Sequence, residues 1–213
     1  MKPDNEPNIK KDTTLFIVRE QRWPLKVQIT VTVLCTVLNL LLNILVSRYG
    51  IPLYLDMIFT LFAAYFGWIS ALAVPVLYHF TEPFLPYGDI LTIPFLICSI
   101  TGALILRLFL QKNKKIEPLD LIMLSIVISF AICIEGGVIY TVVFTLFKYK
   151  ELTATRFLTI SLIMQNIPLM LSAILARIPV SFIDKTLSVF VSWGLMLGLQ
   201  KIKERNRNSL ISR

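Results

Sequence analysis

The chain has 213 residues, 56% of them hydrophobic, and a formal net charge of +8. Its mean hydropathy of +0.74 lies far above that of an ordinary soluble domain, which excludes a soluble globule. Lys and Arg gather at the ends and in loops, without the interleaved aromatics of a nucleic-acid surface, so the expected surroundings are a lipid bilayer and not a nucleic acid.

Residues 1–26 are polar and carry six Lys/Arg, and no small-residue cleavage pattern follows the first apolar run, so that run is expected to be a retained helix. Apolar runs then cover 27–47, 53–80, 89–110, 119–147, 157–176 and 182–200. A helix crossing an apolar layer of about 30 Å needs about 20 such residues. A transmembrane β-barrel would show short alternating segments instead, whereas LIMLSIVISFAICI is apolar on every side. The expected fold is therefore all-α, a polytopic membrane bundle of about six transmembrane helices spanning 27–200, followed by a basic tail over 201–213.

That tail carries five Lys/Arg, so the positive-inside rule puts both termini in the cytoplasm and requires an even number of crossings of the cell membrane. The run 53–80 is long for one crossing and contains Gly67-Trp68 and Pro75. If it is one helix, all six runs cross and the lysine cluster at 112–115 faces out. If it breaks near Gly67, the cluster turns inward and 157–176 does not cross. Gln165, Asn166 and Pro168 interrupt 157–176, which favours the break.

Several polar residues fall inside or beside the apolar runs. Cys35, Cys98 and Cys133 have no metal-ligand spacing and are expected to be core thiols, with no metal site or cofactor. Asn39 and Asn43 are four apart on one helical face, suited to bonding neighbouring helices. Asp56, after Ile51-Pro52, is expected in the first turn of a helix, where the macrodipole favours an acid or a ligand meets it. Ala63, Gly67 and Ala71 form a small-residue stripe for another helix or subunit. His79 beside Tyr78 is expected to be an interfacial aromatic anchor.

Glu135 lies near the middle of the longest run, where a charge costs about 2.5–3.5 kcal/mol even on the lenient insertion scale. It is either a ligand-binding or proton-handling carboxylate, with Gly136 and Gly137 allowing close approach, or a protonated group bonded to a facing helix through Asn39 or Asn43. In RIPVSFIDKTLSVF, a proline-led turn is expected to feed the last helix at Phe182, with Ser181 as its N-cap and Asp184 in its first turn. The same N-terminus offers free N–H groups to an anion or carbonyl. No P-loop, GxSxG, HExxH or paired Cys or His set occurs, so no enzyme activity is expected.

The order of LYLDMIFTLFAAYFGW, TEPFLPYGD and RIPVSFIDK over roughly 27–200 resembles the substrate-binding S component of energy-coupling factor (ECF) vitamin transporters. The resemblance implies a six-helix protein that binds one vitamin or metal ion near the outer face and works with a transmembrane coupling subunit and two ATPases. In riboflavin-type members a Gly-Pro break joins the second and third helices, and a Pro-x-Asn-x-x-Lys pattern enters the last. Here Trp68 follows Gly67, and Ser181 and Asp184 stand where Asn and Lys would, so riboflavin itself is not implied. The AxxxA pattern that many members carry for docking the coupling subunit is missing from 27–47, a role the Ala63, Gly67, Ala71 stripe would have to take.

The leading expectation is a substrate-capture subunit for a small, water-soluble, vitamin-like nutrient. Its pocket would gather Tyr54, Asp56, Glu135, Tyr140, Gln165, Asn166, Ser181, Asp184 and Lys185. The alternatives are a sensor or scaffold subunit that signals through a partner chain and, third, a self-sufficient carrier, for which the sequence shows no internal repeat.

Overall fold

A computed structural model describes residues 18–19, 23–113, 115–148 and 153–211. Most of the 1–26 segment and the last two residues of the basic tail lie outside the described residues. Seven α-helices occur among them: α1 Leu25–Tyr49, α2 Ile58–Ala64, α3 Trp68–Thr81, α4 Leu96–Asn113, α5 Pro118–Phe147, α6 Thr153–Met164 and α7 Leu169–Ile211. Two 3₁₀ turns, Glu82–Phe84 and Ile90–Phe95, connect α3 to α4. Leu25–Tyr49, Ile90–Asn113 and Pro118–Phe147 are long and apolar enough to cross a membrane, and the chain is a membrane protein with an all-α bundle fold.

The helices are inside-out relative to those of a soluble bundle. On α1 the exposed stripe is Ile29, Val33, Val37, Leu41 and Leu45, while Thr32, Cys35, Thr36 and Asn39 are buried. The spacing is helical in both stripes, but lipid, not water, suits the outer one. Buried polar groups then have to find partners inside the bundle. Asn39 Nδ2 donates to Thr60 Oγ1 of α2 at 2.9 Å, and Asn43 Nδ2 donates to Tyr78 OH of α3 at 2.7 Å. The two asparagines bond neighbouring helices as their spacing suggests, and neither reaches Glu135.

The run 53–80 is broken. Helix α2 ends at Ala64 and α3 starts at Trp68, and side chains bond carbonyls at the break. Ser70 Oγ donates to Ala63 O at 2.7 Å, and Arg107 Nη1, from α4, donates to Ala64 O at 3.2 Å. Gly67 lies directly against the Gln28 carboxamide, which occupies the space a Cβ would need. Ala63 and Ala71 are fully buried on two different helices, so the small-residue stripe is internal packing and not a docking surface.

A two-residue antiparallel pairing, β1 Val18–Arg19 with β2 Lys115–Ile116, joins the segment before α1 to the α4–α5 connection. Lys203 lies over the Trp23 ring at 4.5 Å, and Trp23 packs tilted against Phe66 with ring centres 5.0 Å apart. The start of α1 with Lys26, the α2–α3 break, the last turn of α4 with Lys112 and the part of α7 around Lys203 therefore share one basic end. This is the arrangement that a break at Gly67 requires, with both ends of the described chain on the same side.

The late segment is interrupted where Gln165, Asn166 and Pro168 stand, as expected, but its last helix differs from expectation. The 157–176 run is a helix–turn–helix, with α6 ending at Met164 and α7 starting at Leu169. Helix α7 continues unbroken through Pro179 for 43 residues. At about 1.5 Å per residue it is roughly 65 Å long and outruns a 30 Å apolar layer. Ser181 thus lies within a helix and caps nothing.

At Gly137 α5 lies close against α7: an added Cβ would meet Ile174, including its Cα at 3.0 Å and its N at 3.1 Å. The backbone cannot swing aside. Gly137→Val is expected to cost about 1–3 kcal/mol through overpacking. Gly194→Ala, where a Cβ meets nothing within 4 Å, is expected to cause no loss. Thermal unfolding of the two variants in detergent checks this.

Candidate binding site

Residues 50–57 return from the end of α1 into the bundle. Gly50, with φ 62°, closes α1 in a left-handed cap and turns the chain. Leu55 has φ 49°, a conformation a β-carbon resists, and its N–H donates to Asp184 Oδ1 at 2.8 Å. Tyr54 OH lies 3.2 Å from Thr155 Oγ1 of α6. Asp56 follows, one residue before the Met57 that precedes α2, so it is not in the first turn of a helix and caps none.

Asp56 has a different partner. Lys185 Nζ donates to Asp56 Oδ1 at 2.9 Å and lies 2.6 Å from Asp184 Oδ2, the second an ionic contact without hydrogen-bond geometry. Lys185 is 3% exposed and Asp184 is fully buried. An ammonium in such a place is tolerated only with carboxylates beside it. The Lys185 ammonium also lies 5.9 Å from the centre of the Tyr54 ring. The trio binds the inserted 50–57 segment to α7.

Beside the trio is a cavity of about 180 Å³, lined by Asn43, Tyr54 and Asp56 from the first part of the chain, by Tyr78, His79 and Glu82 from α3 and its end, by Thr92, Phe95 and Cys98 around the start of α4, by Ile132 and Gly136 of α5, and by Arg177, Ser181 and Lys185 of α7. A cavity of about 150 Å³ already holds benzene, so a small molecule fits. Arg177, Ser181 and Lys185 are four apart, which aligns them on one face of α7. The cavity sits toward the end of the bundle opposite the basic one, next to the loop 82–95.

Glu82 borders it there. It is 5% exposed and accepts a hydrogen bond from Thr92 Oγ1, which ties the two 3₁₀ turns together. Burial, and then the nearby Asp89 and Asp56 charges, hold its carboxyl above the usual range despite the Thr92 bond. His79 Nε2 lies 2.9 Å from Ser99 Oγ, and the ring is 4% exposed. His79 is therefore a bundle-interior residue and not an interfacial anchor. Arg177 lies over the Tyr140 ring at 4.6 Å, and its Nη1 donates to Ala173 O at 2.9 Å.

Of the residues expected to form a pocket, Tyr54, Asp56, Ser181 and Lys185 line the cavity, and Asp184 and Tyr140 stand directly behind it, against Lys185 and Arg177 respectively. Glu135 does not line it. Its Oε1 accepts from Thr101 Oγ1 of α4 at 2.9 Å, so its facing partner is α4 and neither asparagine. Gln165 and Asn166 are exposed at the α6–α7 turn, Asn166 with φ 63°, and lie away from the cavity. Asn43, Tyr78, His79, Glu82, Thr92, Phe95 and Arg177 belong to the lining without having been expected there. The four-residue spacing from Arg177 to Lys185 was the available signal. The three cysteines are buried free thiols, and no group of three or more His, Cys, Asp or Glu able to hold a metal occurs among the described residues.

Comparison with protein-family models, with curated proteins and with solved structures returns no match to this chain.

Lys185→Met would leave Asp56 and Asp184 buried without their cation and is expected to cost about 3–5 kcal/mol. Asp56→Asn keeps Asp184 as counter-ion and is expected to cost less; the ranking is read from thermal unfolding of both variants. Glu82 has a folded-state value raised above 4.5. The stability it contributes is fully present below 4.5 and is lost as pH rises through the folded value. The melting temperature of the native protein is therefore expected to fall relative to that of Glu82→Gln as pH rises from 4.5.

Proposed function

We propose that the protein is the substrate-capture subunit of an ATP-driven importer of the ECF type, binding a vitamin or similar small, water-soluble nutrient from outside. One observation supports this above the rest: an aromatic-walled cavity with a buried lysine paired to carboxylates on its edge, at the end of the bundle opposite the one that carries Lys26, Lys112 and Lys203. A few convergent polar groups in an otherwise apolar cavity are what orient and select a small ligand. The resemblance of 27–200 to S components agrees with that placement.

In this proposal the basic end is cytoplasmic. Both termini then lie inside, the chain crosses the cell membrane several times, and the cavity faces the outer surface. The protein acts as a binder and not an enzyme, and it works with a transmembrane coupling subunit and ATPase subunits. Transport requires those partners, because no nucleotide-binding motif occurs in the sequence.

Mass spectrometry of small molecules retained through purification in mild detergent, followed by thermal-shift measurements with a vitamin panel, tests the proposal. Stabilisation by one vitamin and not by the others is the expected result. No retained compound and no stabilisation across a broad panel would favour a sensor or scaffold role instead.

A further inference from the structure

The cavity's chemistry narrows the ligand further than its size does. Lys185 and Arg177 bring two cations to the site, and Asp56 and Asp184 bring two carboxylates. The charges of these four match, and the Glu82 carboxylate, bonded by Thr92, borders the cavity as a further acidic group. A ligand with net negative charge would add a buried anion without a counter-ion.

Donors and acceptors are also arranged in a definite way. Among the trio, Asp56 is the member that opens most onto the cavity: its side chain keeps 20% of its surface, against 4% for Lys185 and none for Asp184. It therefore offers an acceptor. The Lys185 ammonium has three hydrogens and two carboxylate neighbours, and Tyr78 OH accepts from Asn43 and so has its own hydrogen to donate. Acceptor and ammonium are only 2.9 Å apart, so a ligand that meets both must carry its donor and acceptor on neighbouring atoms. The Tyr54, Tyr78 and Phe95 rings line the same cavity and suit a flat, apolar face.

We propose, resting on the capture function above, that the ligand is a neutral planar heterocycle with an N–H donor beside a carbonyl or ring-nitrogen acceptor. This lactam or amidine edge pairs with Asp56 on one side and with Lys185 or Tyr78 on the other. Anionic carboxylates and heterocycles lacking the N–H are selected against, because they leave Asp56 without a donor or bring a second negative charge beside it.

The full chain, purified in detergent and stripped of retained small molecules, is titrated at millimolar concentrations with 2-pyridone, N-methyl-2-pyridone and pyridine-2-carboxylate. Thermal stabilisation and calorimetry are the readouts. The expected result is binding of 2-pyridone at least about tenfold tighter than either analogue. Asp56→Asn is expected to reduce that preference severalfold. The ligand series on the native chain tests the proposal even if the variant fails to fold. Equal binding of all three compounds, or a preference for the methylated or anionic one, overturns the proposed class. A vitamin that binds but lacks a lactam or amidine edge also overturns it, while leaving the capture function standing. No binding by the probes or by the vitamin panel overturns both.

Discussion

A lysine ammonium buried inside a membrane bundle must be surrounded by carboxylates, and here that requirement joins distant parts of the chain. Lys185 and Asp184 come from one turn of α7, whereas Asp56 comes from a segment about 130 residues earlier. Asp184 does double duty, because it also accepts the N–H of Leu55 and holds that residue in a left-handed conformation. The 50–57 segment is thereby kept inside the bundle instead of lying over its end. Without the inserted segment, Tyr54 and Asp56 would not border the cavity.

The break at Gly67 serves the same arrangement from the other side. A continuous helix through 53–80 would leave no place for a chain that enters the bundle, turns near Gln28 and runs back out. Turning within a membrane leaves open backbone carbonyls, which lipid cannot satisfy. Arg107 supplies the donor for Ala64 O, and Ser70 adds a second donor to Ala63 O, which the Phe66 N–H also bonds. The Arg107 guanidinium also lies over the Trp68 ring at 5.6 Å, so the residue that departs from a Gly-Pro break packs against the group that stabilises this one. With α2 running toward the basic end and α3 back, Tyr78, His79 and Glu82 come to the same depth as Asp56 and Lys185.

Much of the fold is legible in the sequence because lipid imposes a strong pattern. The apolar runs at 27–47, 89–110 and 119–147 became α1, α4 with the turn before it, and α5, since no other backbone arrangement satisfies its own hydrogen bonds over such lengths. The asparagine pair on α1 was readable from its spacing, and the close approach on α5 from the adjacent glycines Gly136 and Gly137. The end of the chain was harder. Pro179 suggested a turn at Ser181, but α7 passes through it, which proline permits when neighbouring groups take up the freed carbonyl.

By itself, the sequence determined the class of protein and a short list of polar residues too costly to be incidental in an apolar layer. It could not say which of them face one another. Glu135 was the most conspicuous acid, and it bonds Thr101 between α4 and α5; Asp56, easily explained as a cap, is a counter-ion. Burial cost is a property of a residue and its depth, and can be read one residue at a time. Pairing depends on how helices from opposite ends of the chain are rotated and inserted, and only the tertiary structure decided that.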